Sequence, residues 1–314
     1  MSANVETMFS VREVPWHGLG TIVQEAPNSK EALKLAGLDW TVDTTEVFDN
    51  NNHKIPGYFA TRRTTDQKIL GIVSGRYKVV QNSEAFEFTD ELIGGDIRYE
   101  TAGSLRDGKQ IWLLAKMPET KILGDDVTPY ICFTNGHDGL SSIRVCMTPV
   151  RVVCNNTLNL ALNTAKRSWS AKHIGNIDDK LDEARRTLGL AEHYMEELAS
   201  TADDLANTSL TTLQVEEFIN ELFPVEEDAS DRIKQNAQIL KDNFMVCYLA
   251  PDIQKFRNTA WGVVNAASDF STHSKPRRAT VNSQENKFSN ILIGDVVIDK
   301  TFMNMMSRMI TSKV

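Results

Sequence analysis

The chain has 314 residues, 41% of them hydrophobic and 24% charged, and carries a formal net charge of −8. That length suits two cooperating units or one large domain with an appendage, and the composition argues against disorder, a collagen-like repeat or a disulfide scaffold. Apolar runs such as 291–293 and 296–298 are far too short to span a bilayer, and with no secretion leader in the text the expectation is a reduced, cytoplasmic protein with no membrane partner.

Residues 1–28 read as a turn-rich lead-in broken by Pro15, Gly18, Gly20 and Pro27. Asn28 or Ser29 can cap a short helix that Gly37 ends. Alternating text then predicts strands over 40–48, 57–63 and 69–80, an antiparallel meander, followed by a helix from Ser83 to about Ile93. A second β-rich block takes 97–103, 109–116, 128–135 and 142–153, with turns at Arg106-Asp107-Gly108 and over 135–139. Residues 155–164 can open a helix directly after the last strand.

From about Ile177 the period of the apolar positions becomes helical. Helices are predicted over 178–206, with Gly189 inside, and over 211–223, 230–248 and 258–272, with one or two more in 282–310. The fold class expected is α+β. A β-rich amino-terminal part, an antiparallel meander with short helices, occupies 1–175 and is the candidate nucleic-acid-binding part. A mostly helical part follows over 176–314, the candidate assembly or partner part. The acidity is concentrated there, since residues 173–314 carry −7 of the net −8.

Motifs for catalysis are missing. Gly18-Leu19-Gly20 has no third glycine at the dinucleotide offset, and no Gly-Lys-Ser/Thr loop occurs. Gly139-Leu140-Ser141-Ser142-Ile143 is one glycine short of a nucleophile elbow; His137 is near Ser141 in sequence, but local propensity explains a hydrophilic turn better. No histidine lies three or four residues from another, the four cysteines lack zinc-knuckle spacing, and Asp125 and Asp126 on a strand would face opposite ways. No catalytic residue, metal ligand or cofactor is therefore assigned.

One segment stands out by charge. Residues 139–177 contain no Asp or Glu, yet hold Arg144, Arg151, Lys166, Arg167 and Lys172. Strand alternation places Arg144 with Ser142 and Cys146 on one face and Arg151 on the other, unless Pro149 introduces a bulge. Lys166-Arg167-Ser168-Trp169-Ser170-Ala171-Lys172-His173 interleaves cations with an indole, the chemistry by which single-strand binders hold phosphates and stack bases. The alternative is a surface loop whose Trp169 turns back into the core. A shorter basic cluster, Lys275-Pro276-Arg277-Arg278, has Lys255 and Arg257 upstream.

Three phrases carry a family resemblance: Trp16-His17-Gly18-Leu19-Gly20-Thr21, Pro149-Val150-Arg151-Val152-Val153-Cys154-Asn155-Asn156-Thr157-Leu158, and Thr259-Ala260-Trp261-Gly262-Val263-Val264-Asn265-Ala266-Ala267. Together they make the chain similar to the phage/plasmid-like protein family, catalogued as domain of unknown function nine hundred and thirty-two, over nearly its whole length. The resemblance implies a phage, prophage or plasmid origin and a bacterial cytoplasm, and it brings no activity or catalytic residues. The order of elements over 40–93 is also similar to the β-β-β-α core of phage single-strand annealing proteins of the Rad-fifty-two and Red-beta type. In physical terms, Asn155 and Asn156 can cap a helix, Arg151 in an apolar strand needs a partner or a groove, and Trp261-Gly262 suggests close helix packing.

Three functions are compatible with this text. The first is a non-catalytic single-stranded-DNA-binding or annealing protein of recombination or replication, working as a homo-oligomer, with Arg144, Arg151, Lys166, Arg167 and Lys172 on phosphates and Trp169 stacking. The second is an interaction or assembly protein that engages a host or phage protein through the acidic helical half. The third is a metal-dependent nuclease whose carboxylates meet only in the fold.

Overall fold

The computed structural model describes residues 5–12, 20–93, 97–151, 156–157, 168–188, 191–273 and 296–312. The fold is α+β, with the sheets mainly in the amino-terminal half and the helices mainly in the carboxy-terminal half. Contacts divide the chain into two units that interleave in sequence. One holds Met1–Pro118, Pro129–Met147 and Lys166–Ala191; the other holds Glu119–Thr128, Thr148–Ala165 and Glu192–Val314.

In the first unit, β1 (Val5–Val11) and β2 (Thr21–Val23) pair in parallel, α1 (Ser29–Leu35) follows, and β3 (Val42–Phe48), β4 (Lys54–Arg63) and β5 (Ile69–Ser74) form the expected three-stranded antiparallel meander. Asn28 caps α1 through a capping box with Glu31, satisfying two end groups at 3.1 and 3.2 Å. Helix α2 (Asn82–Ile93) precedes the strands of the larger sheet, β6 (Arg98–Leu105), β7 (Gln110–Lys116), β9 (Asp125–Gly136), β10 (Ile143–Arg151) and β12 (Ser168–Ala171), and α3 (Ile177–Leu188) follows; the start of β9 and the end of β10 belong to the other unit. The sheet's strands run in the order β10, β9, β7, β6, β1, β2, with β12 beside β10. Phe9, Tyr99, Ile111, Leu113 and Phe133 of the strands are fully buried in the first unit, together with Phe88 of α2 and Leu38 of the loop after α1.

The lead-in is the main departure from expectation. Val5–Val11 is a strand, paired antiparallel with β6 in a register that sets Met8 opposite Gly103. The breakers all lie beyond it, and the segment itself supplies Met8, Phe9 and Val11 to the core. A side chain at Gly103 would meet the Thr7 carbonyl at 2.3 Å and the Met8 Cβ at 2.6 Å, so glycine there is what lets β1 close on the sheet.

In the second unit, β8 (Thr120–Ile122) pairs with the first residues of β9, and β11 (Asn156–Thr157) pairs with Val150 and Arg151. The predicted helix over 155–164 is corrected at Asn156 and Thr157, where ladder bonds to β10 take the backbone groups a helix would use; its remaining residues lie outside the described ones. The predicted 178–206 helix is two, α3 and α4 (Ala191–Ala206), with Gly189 between them. Next come α5 (Thr212–Leu222), capped by Thr211, then α6 (Asp231–Tyr248), a 3-10 turn over Pro251–Phe256, α7 (Ala260–His273) and α8 (Val296–Ser312). Phe218, Phe223, Phe244 and Phe270 form a ring cluster with centroids 5.6–6.3 Å apart. Helix α7 is buried on all sides from Ala260 to Ser268. Gly262 lies so close to the preceding turn that an added Cβ would meet the Phe256 carbonyl at 2.1 Å, the close packing its sequence suggests. Among the described residues no helix is long and apolar enough to cross a membrane.

Candidate functional site: a basic strand edge and a buried histidine corner

The acid-free segment folds back on itself. β10 pairs antiparallel with β12, setting Arg144 opposite Ser170, Val145 opposite Trp169 and Cys146 opposite Ser168. Because successive side chains alternate, Arg144, Ser168 and Ser170 share one face; both serines are exposed and Arg144 is half-buried. Trp169 belongs to the other face with Val145, and at 8% exposure it is a core side chain. An indole so covered offers almost no ring face to a base, so of the two sequence readings of Trp169 the geometry favours the core. Lys172, just past β12, is exposed. Arg151 closes β10 opposite Asn156. Lys166 and Arg167 lie outside the described residues, as do Lys275, Arg277 and Arg278.

The fold adds cations that sequence spacing could not connect. Tyr77, in the loop between β5 and α2, bridges Ile174, and the Lys78 N–H donates to the His173 carbonyl at 2.9 Å. Exposed Arg76 and Lys78 thereby arrive beside Lys172. The Lys180 ammonium, from the first turn of α3, donates to the Lys172 carbonyl at 2.8 Å. Arg76, Lys78, Arg144, Lys172 and Lys180 thus gather at one corner of the first unit. The only sequence signal for Arg76 and Lys78 is their exposure in a turn. By contrast, Lys255 is ion-paired to Asp125, and Arg257 donates to the Leu249 carbonyl at 2.5 Å.

Beneath this corner the 135–141 turn is held by polar contacts. Thr61 Oγ1 donates to the His137 carbonyl and Tyr77 Oη to the Gly136 carbonyl, both at 2.6 Å. The Asp138 carboxylate accepts from the Leu140 and Ser141 N–H groups at 2.8 Å and from the Ser141 hydroxyl at 3.2 Å. Ser141 is therefore engaged with Asp138, while His137 Nε2 lies 2.9 Å from Asn82 Oδ1. This is an Asx turn, the turn its composition suggests, without the serine–histidine contact a nucleophile needs. His137 is fully buried against the Trp40 edge, with ring centroids 5.4 Å apart, and His173 stacks on Tyr77 at 4.7 Å. Burial first, and the neighbouring imidazole second, hold His137 down at about 3; burial also holds His173 below its ordinary value.

Among the described residues no three His, Cys, Asp or Glu side chains gather as metal ligands. No curated protein and no solved structure matches the chain significantly. A family model described as Domain of unknown function (DUF932) matches residues 69–292, more than two thirds of the sequence, taking in the basic corner and α7. The chain belongs to the DUF932 family.

Proposed function

We propose that this protein binds single-stranded nucleic acid along the basic edge formed by β10, β12 and the Arg76–Lys78 loop, as a non-catalytic component of phage- or plasmid-type DNA recombination or replication. The observation that carries the reading is the convergence of Arg76, Lys78, Arg144, Lys172 and Lys180 from three separate stretches of an acidic chain. A local positive surface on a net-negative protein attracts phosphates at short range, while the remaining charge repels non-specific polyanion contact. Arg151, Lys166 and Arg167 extend the same run in sequence. Exposed Ser168 and Ser170 supply hydroxyls to a phosphate chain on the Arg144 face. In this reading Trp169 supports the strand from within.

The test is a fluorescence titration with an oligothymidylate at low and high salt. Five phosphate contacts give a slope of log affinity on log salt of about −3.5, so a fourfold rise in salt weakens binding about a hundredfold. The Arg144→Glu/Lys172→Glu double variant is expected to bind weakly with a shallower slope. Wild-type protein that ignores the oligonucleotide at low salt overturns the reading.

A specific observation also favours a protein partner. Leu213 on α5 and Ile233, Leu240 and Val246 on α6 are all exposed, within the part of the chain that carries the acidity. In this second reading the helical unit recruits a host or phage protein, or a second copy of the chain. A complex that survives high salt and is lost on Val246→Glu supports it.

A further inference from the structure

The two histidines beneath the basic edge are fixed in their neutral tautomers by groups that can only accept. Asn82 Nδ2 donates to the carbonyls of Leu38 at 2.9 Å and Trp40 at 3.2 Å, which turns Asn82 Oδ1 toward His137 Nε2 at 2.9 Å. An amide oxygen accepts only, so His137 carries its proton on Nε2 and presents a lone pair at Nδ1. His173 Nδ1 lies 3.0 Å from the Lys78 carbonyl, so its proton is on Nδ1 and its lone pair on Nε2. Asn135 Nδ2 donates to the Val80 carbonyl at 2.9 Å, leaving Oδ1 as a third acceptor. His137 Nδ1, His173 Nε2 and Asn135 Oδ1 are buried and have no hydrogen-bond partner.

A second proton on either ring would thus meet no acceptor, inside a site where His137 and His173 are 0% and 3% exposed. The charged groups facing the rings do not offset this. Asp138 favours both imidazolium forms, but its carboxylate is already taken by Leu140 and Ser141. Lys180, from α3, opposes a charge on His173. Arg63 of β4, which like His137 contacts the Trp40 ring, is held by Glu6 and Asp66. Each ring, once charged, opposes the other.

The same rings hold the corner together. His173 accepts from the Lys78 N–H through its carbonyl, donates to the Lys78 carbonyl through Nδ1 and stacks on Tyr77. His137 ties the end of β9 to the start of α2 through Asn82. We propose that the His137–His173 corner is a proton-operated latch for the basic edge: with both rings neutral it keeps Arg76 and Lys78 beside Lys172, and protonation of the released rings opens it. The effect on nucleic acid rests on the function proposed above; the latch itself does not.

The sign follows from linkage. Opened histidines titrate near 6.5, whereas the closed rings resist protonation, so the open form binds more protons. The closed form is fully favoured above about pH 6.5 and loses ground as pH falls below it, over a window that for His137 reaches down to about 3. At pH 5.5 the released His137 ring favours opening by about tenfold, and His173, also held below its ordinary value when closed, adds at most about a further tenfold.

The test is hydrogen exchange on the full chain at about pH 7.5 and about pH 5.5, corrected for intrinsic rates. Peptides covering the Tyr77–Asn82 and Ser170–Asn176 regions are expected to lose up to about a hundredfold protection at the lower pH, while β6 and β7 keep theirs. The His137→Gln/His173→Asn double variant places amide N–H groups where the rings hold theirs and takes up no proton, so its protection is expected to be the same at both values. Unchanged wild-type protection at the corner overturns the latch. Should the variant not fold, nitrogen NMR of the wild-type histidines decides: rings that charge near 6.5 with protection intact also overturn it. Oligothymidylate titrations run in parallel separate the two proposals. Affinity lost at the lower pH by the wild type alone supports the coupling; no binding at either pH defeats the nucleic-acid reading and leaves the latch to be judged by exchange.

Discussion

Arg63 closes both terminal nitrogens on the carboxylate of Glu6, 57 residues earlier on β1, in two parallel hydrogen bonds of 2.9 Å. Its Nε and one terminal nitrogen also donate to Asp66 at 3.0 and 2.8 Å, and its guanidinium covers the Trp40 ring at 5.2 Å. The arginine side chain is 8% exposed and Glu6 23%, so this pair is far less open to solvent than the surface ion pairs of β3 and β4. The Arg63 guanidinium beside Asp66 holds that carboxyl below the usual range. Removing the arginine leaves Glu6 partly buried and unpaired; Arg63→Ala is expected to cost about 3 kcal/mol in urea unfolding. Arg63→Lys, which loses the forked geometry but keeps the charge, is expected to cost less.

Gly103 and Gly262 are each required by a close backbone approach. A Cβ at Gly103 meets the Thr7 carbonyl at 2.3 Å, and one at Gly262 meets the Phe256 carbonyl at 2.1 Å. Neither neighbour is a flexible side-chain end, so the backbone must shift. Gly103→Ala is expected to loosen β1 from β6, seen as faster amide exchange in Val5–Val11. Gly262→Ala is expected to lower the Tm, with a loss of about 2 kcal/mol or more. A Gly103→Ala protein with unaltered exchange in β1 would refute this reading of the register.

Trp169 provides a sharp contrast between a binding and a packing role. With the indole 8% exposed opposite Val145, Trp169→Ala is expected to cost about 3 kcal/mol of stability through the cavity it leaves. Trp169→Phe is expected to recover most of that and to leave oligothymidylate affinity unchanged. A twofold or smaller stability change together with a large loss of affinity from Trp169→Phe would return the indole to the binding surface.

The three cysteines among the described residues are expected to be chemically quiet. Cys132 and Cys146 are buried, and the hydrogen bond between them together with burial pushes the Cys132 thiol up. Burial first, and the nearby Asp269 carboxylate second, push Cys247 up to about 12. A shift of that size lowers the thiolate fraction at neutral pH about a thousandfold. Alkylation mapped by mass spectrometry is expected to leave Cys132, Cys146 and Cys247 unmodified in the native protein and to label them after denaturation. Cys247 is half-buried, so rapid native labelling there would contradict the raised thiol pKa rather than simple inaccessibility.

The sequence by itself determined the local elements: the Asn28–Glu31 and Thr211–Gln214 capping boxes, the alternation of β3, and the 3.6-residue period of α5 and α6. These follow from interactions within a few residues, which composition encodes directly. It also located the acid-free run and the turn at 135–139, because charge and turn chemistry are local as well. Only the tertiary structure decided which segments meet. That Tyr77 bridges Ile174, that Met8 lies opposite Gly103, and that Trp169 faces inward rather than out depend on pairing and register across tens of residues. A one-residue slip in any of these ladders reverses every side chain on the strand. The basic corner and the buried histidines beneath it therefore exist only once the strands have paired.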